Sequence, residues 1–287
     1  MFNKRHIVRT IAATASILAL SFTAACGSGQ STASNSADSD DITQQTYKPG
    51  KLTIATGQPA YEPWVMNDKP ESGEGYEAAV AYAVADKLGF KKSDVVWTRT
   101  AFDTAIAPGA KDWDFNIQQF GITDERKKAV DFSSSYYNDS QSVVVKKDSK
   151  FANATKVSDL KDATVGVMVG TLAYDYAKAN IKDDIQTFND DAALAQALDA
   201  GQIDALVTST VECVYMVQSE QVKGAKVLGR LPDSEDKSGM GIVLPKDSKL
   251  TAAVTKAVDD LNADGTIKKL QDKWLAEYTT DLTELKK

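Results

Sequence analysis

From Lys51 onward, short apolar runs of strand character alternate with stripes of helical spacing, and this alternation is the strongest constraint on the fold. The runs lie at residues 52–56, 95–98, 115–118, 142–146, 164–169, 185–188, 205–207, 226–228 and 241–244. Between them apolar residues recur at i, i+4, as at Val80, Val84 and Leu88. Two helical stripes close the pattern: Leu250, Val254, Val258 and Leu261, then Ile267, Leu270 and Trp274, with Gly265 as the break. Such alternation predicts an α/β fold with mostly parallel pairing. Twice a strand runs into glycine and small polar residues before a helix, once through Ile54, Thr56 and Gly57 and once through Val167, Gly170 and Thr171. Ligands in open α/β sheets sit at the carboxyl ends of strands beside helix N-termini, so two such ends facing each other predict a cleft between two lobes.

The first 25 residues read differently. Lys4, Arg5 and Arg9 precede an apolar run over residues 11–22, and Thr23, Ala24 and Ala25 lead to Cys26. This is the layout of a secretory signal peptide. The run falls short of the roughly 20 residues that a membrane span needs, which disfavours the alternative of an uncleaved anchor. Removing this segment removes His6, the single histidine of the chain. Without histidine no Ser-His-Asp or Cys-His nucleophile and no Cys/His zinc site can be built, so no metal and no cofactor is expected. Enzymes running on carboxylates or lysine stay open. A formal charge of −7 repels phosphate, so nucleic acid is not an expected partner.

Cys26, followed by Gly27-Ser28-Gly29, looks like a bacterial lipobox cysteine, which carries a diacylglycerol thioether. The usual lipobox has Leu three residues earlier, where this chain has Thr23. Cleavage after Ala25 to give a free secreted protein is the alternative, and an exposed N-terminal thiol would then be open to oxidation. A lipidated Cys26 leaves Cys213 without a disulfide partner. Residues 26–50, rich in Ser, Thr, Asn, Asp and Gln up to Tyr47, are expected to be the lipidated cysteine and a disordered tether.

Residues 120–137 read FGITDERKKAVDFSSSYY. They resemble the strongest motif of the ABC-importer solute-binding proteins for polar amino acids, an Ile-Thr-x-x-Arg turn opening a helix and then Asp-Phe-Ser-x-x-Tyr. The matching positions are Ile122, Thr123, Arg126, Asp131, Phe132, Ser133 and Tyr136. Tyr61-Glu62-Pro63-Trp64, Gly75-Tyr76-Glu77, Gly166-Val167 with Gly170-Thr171, and Gly201-Gln202-Ile203-Asp204-Ala205 resemble further signatures in the family's order. The resemblance implies a two-lobed periplasmic-binding-protein-like (type II) fold, with two mixed sheets joined by a two-strand hinge. Lobe one would hold residues 51–145 and 239–287, and lobe two residues 146–238. It implies a monomeric extracytoplasmic lipoprotein on the outer face of the membrane. This would capture an amino acid or amino-acid-like carboxylate and hand it to an ABC permease with its ATPase subunits.

The same resemblance assigns the site. Arg126 would hold the ligand carboxylate, for which a planar guanidinium fork is the matching donor. The turn through Gly121 adds backbone donors. On charge pattern alone, residues 124–128 read rather as a solvated helix face, and it is the motif that favours a binding role. Thr171, between Gly170 and Leu172, would reach the carboxylate from the second lobe through its hydroxyl and N–H, or serve as an N-cap. Tyr61, Trp64, Phe102 and Phe120 are candidate walls, against a reading as core. Gln58 and Gln119 bring amides to strand ends, and Gln118 beside Gln119 would narrow the pocket.

One position departs from the family. Where its members place an acid for the α-ammonium, this chain has Ser209. A serine cannot neutralise a buried ammonium, and an unpaired buried charge is costly. Either a nearby acid such as Glu212 or Glu77 compensates, or the ligand is not a standard α-amino acid. The other readings are a dehydratase-like enzyme on the same fold, which would need a positioned acid or base, and a surface sensor or adhesion lipoprotein without an importer.

Overall fold

The computed structural model describes residues 41–279 and 282–287. The expected signal peptide, and Cys26 with its tether as far as residue 40, lie outside the described residues.

All five residues of β1 (Leu52–Thr56) are buried, Thr53 and Thr56 with the apolar three, as in a strand covered on both faces. It lies inside a sheet of five, between β2 (Val95–Arg99) and β3 (Phe115–Asn116), and is parallel to both. β10 (Met240–Pro245) then runs antiparallel to β3 and to the edge strand β4 (Val130–Tyr137). The second sheet repeats the plan. β6 (Val165–Met168) is parallel to β7 (Gln186–Phe188) and β8 (Ala205–Ser209), and β5 (Gln141–Lys146) is antiparallel to β8 and β9 (Ala225–Arg230). Both sheets are therefore mixed, in the orders β2-β1-β3-β10-β4 and β7-β6-β8-β5-β9.

Helices close each sheet. α1 (Tyr76–Lys87), α6 (Thr251–Ala263) and α7 (Thr266–Trp274) place Val80, Val84, Val254, Val258 and Ile267 in one core with Leu52 and Ile54. The predicted break at Gly265 is a left-handed residue, φ 77°, a conformation that glycine adopts without a Cβ clash. On the second sheet, α3 (Leu172–Asn180) covers one face and α4 (Asp191–Asp199) with α5 (Thr210–Gln218) the other. Short α2 (Phe102–Ile106) flanks the first sheet beside Phe120.

The chain passes between the sheets at residues 138–140 and again at residues 231–239. The expected lobe boundary at 145/146 falls inside β5, which pairs along its whole length in the second sheet. The C-terminal end departs from its expected lobe as well. Leu285 N–H donates to Arg230 O (2.9 Å), Arg230 N–H to Thr283 O (2.9 Å) and Val157 N–H to Lys286 O (2.8 Å), so residues 283–286 are strapped to the second sheet. Residues 41–50, expected as the last part of the tether, are also tied down. Asp41 caps a 3₁₀ turn at Ile42–Gln44, and Tyr47 N–H donates to the buried Asp114 carboxylate at 2.6 Å.

Candidate functional site

The carboxyl end of β1 runs into Gly57 and Gln58, and the chain then turns through Tyr61–Trp64 before α1 begins. Three bonds lock this turn onto the helix start: Tyr76 N–H to Pro63 O, Glu77 N–H to Trp64 O, and Ala78 N–H to Trp64 O. Gly75, at φ 100°, lets the two backbones meet. Trp64 is 1% exposed and packs edge-on against Tyr137, and its indole N–H reaches Glu212 Oε2 at 3.3 Å. A contact between residues 148 positions apart thus joins the turn to α5.

Across from this turn, Gln119 sits at φ 51° on the fully buried Glu77 carboxylate. Its N–H donates to Oε1 at 2.7 Å and its amide NH2 to Oε2, while the Tyr136 hydroxyl donates to Oε1. Burial pushes the Glu77 carboxyl up to about 7, against these three donors.

Arg126 is the next element. The expected helix at this point is a single 3₁₀ turn, Arg126–Lys128, entered through a Thr123 hydroxyl that accepts the Arg126 N–H at 3.1 Å. The guanidinium donates to Gly121 O (2.6 Å) and, across the cleft, to Gly170 O (2.8 Å). Its flat face lies 5.5 Å from the centre of the Phe102 ring, which is itself stacked 4.6 Å from Phe120. Two of its five N–H donors face carbonyls, and the cation is held between segments of both sheets.

These pieces surround a cavity of about 230 Å³. Gln58, Tyr61, Trp64, Phe102, Gln119, Gly121 and Arg126 line it from one side, and Thr171, Leu172 and Ser209 from the other. Phe120 and Gly170 are not in its wall. Phe120 is fully buried behind Phe102, and Gly170 contributes its carbonyl to Arg126. Thr171 hydroxyl, expected on the ligand, is committed to its own turn: it donates to Met168 O (2.7 Å) and accepts Tyr174 N–H (3.2 Å). Ser209 likewise caps α5, accepting Glu212 N–H at 3.3 Å.

The sequence reading did not include several acids of this wall. Asp139 comes from the first passage between the sheets, and Asp190 and Asp191 from the start of α4. Glu212, named from the sequence as a possible compensating acid, joins them from α5. Asp190 and Asp191 follow the end of β7 at a helix start, the same arrangement that drew attention to Gly57 and Gly170. Burial raises the Asp139 carboxyl to about 6. Burial, with Asp190 beside it, does the same to Asp191. Glu212 is raised well above the carboxylate range by burial first, then by Asp191, Asp139 and Glu77.

Raised carboxyls set the sign of the pH response. Each holds its proton in the folded chain at a pH where the unfolded chain has released it. Their contribution is fully present below about pH 4 and is lost as pH climbs through 6 and 7. Exposed carboxyls of lowered pKa, such as Asp264 at about 2, act only below this window. The thermal midpoint of the chain without ligand is therefore expected to fall by several degrees between pH 5 and pH 8; a midpoint that rises over this range would refute the assignment.

Comparison with known proteins bears on the whole of this architecture. The family described as bacterial extracellular solute-binding proteins, family 3, matches residues 52–277. The L-arginine-binding protein of Pseudomonas aeruginosa is 30% identical over 237 residues, covering 80% of this chain and 88% of that protein. The L-cystine-binding protein TcyJ of Escherichia coli K12 is 30% identical over 223 residues, covering 77% and 81%. Among solved structures, an ancestral arginine-binding protein bound to arginine aligns at a TM-score of 0.67 and 31% identity, over 78% of this chain and 98% of that one.

Proposed function

Because the chain belongs to the bacterial extracellular solute-binding proteins of family 3, we propose that it captures an amino acid or related carboxylate in the cavity at Arg126 and delivers it to an ABC importer. The observation that carries this reading is the half-buried Arg126 guanidinium, held between Gly121 and Gly170 and backed by Phe102, at the wall of a cavity lined from both sheets. A carboxylate reaching its free N–H groups gains charge-assisted bonds in a site of low dielectric. Arginine and cystine, the ligands in the names of the relatives, are the amino acids to try first. We read the two sheets with their helices as two lobes, residues 51–137 with 240–279 and residues 141–230 with 283–287, closing on the ligand. Capture is binding without chemistry, by a monomer held outside the cell through a lipid on Cys26 and presented to a permease with its ATPase subunits.

Thermal unfolding of the chain against the common amino acids tests the capture step. A ligand at about 100 times its Kd stabilises by roughly 2.7 kcal/mol, a rise of about 5–10 °C for a domain of this size. One or a few amino acids are expected to give that rise. A flat response to every amino acid would exclude them as the cargo.

A further inference from the structure

Glu212 is 4% exposed, lines the cavity, and has one oxygen on the Trp64 indole; its other oxygen, Oε1, has no hydrogen-bond partner. A buried carboxylate oxygen without a donor costs free energy that a bound donor would recover. Three acids act on it: Asp191 from α4, Asp139 from the passage between β4 and β5, and Glu77 from α1. The charged groups that act on it most are all acids. Asp191 takes a long bond from the Thr208 hydroxyl at 3.5 Å, and Asp139 accepts Ser140 N–H at 2.7 Å and Val211 N–H at 3.4 Å. Two more acceptors on the same cavity, Gln118 Oε1 and Asp236 Oδ2, also lack donors. Asp236 lies within reach of Arg126, but Glu212, Asp191 and Asp139 form a group of acceptors facing one another, and their missing complement is a group with several N–H donors and positive charge.

We propose that Glu212, backed by Asp191 and Asp139, seats a positively charged group of the ligand, an ammonium or a guanidinium, and so replaces the acid that Ser209 does not supply. Ser209 is the N-cap of α5, and Glu212 follows three residues later on the same helix with its side chain at the cavity. Glu77 is not the substitute, because its two oxygens are taken by Tyr136 and Gln119. A metal ion fits less well: among the described residues no group of three or more His, Cys, Asp or Glu side chains is arranged to hold one. The seat also links binding to protons. Glu212 is protonated above the usual carboxylate range, and an incoming cation favours its ionised form, so binding releases a proton and weakens as pH falls.

The inference rests on the reading of Arg126 as the partner of the ligand carboxylate, and the test separates the two. Titration calorimetry of the full chain with L-arginine and with L-citrulline, its uncharged-side-chain counterpart, would be run on the parent and on Glu212→Gln. Measurements in buffers of different ionisation enthalpy count the protons released. Glutamine keeps an oxygen for Trp64 and removes the charge. Glu212→Gln is expected to weaken L-arginine at least tenfold and to abolish the proton release, with an unliganded thermal midpoint no lower than the parent's at pH 8. A loss shared by L-citrulline assigns the α-ammonium to the seat, and a loss confined to L-arginine assigns the side chain; both outcomes support the proposal. An unchanged affinity and an unchanged proton count in Glu212→Gln would overturn it and leave the Arg126 reading intact. Should neither probe bind the parent while a carboxylate without any cation, succinate, does, the seat falls and carboxylate capture stands. If no carboxylate binds, both readings fall.

Discussion

Arg126→Ala is expected to cost more than a hundredfold in Kd for any carboxylate ligand, about 3–5 kcal/mol, while leaving the fold intact. The size follows from what the side chain does. Among the described residues it is the one cation lining the cavity, and it reaches the second sheet's segment at Gly170. Alanine leaves the ligand carboxylate desolvated and without its fork of donors, which is the expensive way to lose a charged hydrogen bond. Stability should change little, because desolvation of the guanidinium is itself costly and pulls its pKa down, against the opposing pull of Asp175 and Asp236. Arg126→Lys keeps the charge but loses the planar contact with Phe102 and the paired donors, so it should recover only part of the affinity. Calorimetry with whichever amino acid stabilises the parent decides the matter. Equal affinities for parent and Arg126→Ala would move the carboxylate elsewhere in the cavity.

Gly75→Ala should be a severely damaging single-methyl change, about 3–5 kcal/mol of stability. A Cβ at this position would lie 2.5 Å from Trp64 O and 2.7 Å from both Trp64 C and Val65 Cα. All three are backbone atoms of the segment that Gly75 is there to admit, so no side chain can turn aside. The φ of 100° adds a second penalty, since an L side chain is strained there. Relief would require moving the Tyr61–Trp64 turn off α1, breaking the bonds to Pro63 O and Trp64 O and shifting Trp64 away from Glu212. Against a usual total of about 5–15 kcal/mol, such a loss is large. The denaturation midpoint in urea measures it directly, and a shift equivalent to less than about 1 kcal/mol would show that the contact yields.

Much of the framework could be read from residue order alone, because most strands are apolar runs and the helices carry regular stripes. β4 was invisible for a physical reason. Residues 130–137 contain an aspartate and three serines, poor strand formers, and one of them, Ser133, is buried because its hydroxyl accepts Ile242 N–H at 2.9 Å. A local pattern cannot reveal a polar residue whose partner is 109 positions away. The site divides along the same line. Arg126, Tyr61 and Trp64 were legible from motifs, since each sits in a contiguous signature, and Gln119 from its place at a strand end. Asp139, Asp190 and Asp191 were not, because each passes locally for an ordinary turn or helix-start acid. Only the approach of α4, α5 and the inter-sheet passage turns them into one electrostatic feature. The hydroxyl of Thr171 went the other way. It was expected on the ligand, and here it caps its own helix while Thr171 lines the cavity, as the competing reading allowed.

The C-terminal strap alters the mechanics of the joint. Two adjacent chain passages define an axis about which two bodies can rotate with little resistance. Residues 283–286 add a third attachment, bonded to Arg230 and to Val157 and packed through Leu285 into the second core. The chain reaches these residues directly from α7 and the turn at Ala276–Tyr278, which pack on the first core. A rotation about the two passages has to carry this segment along or peel it off. In the proposed closure residues 283–286 would act as a leash, and the opening angle would depend on this strap as well as on the two passages.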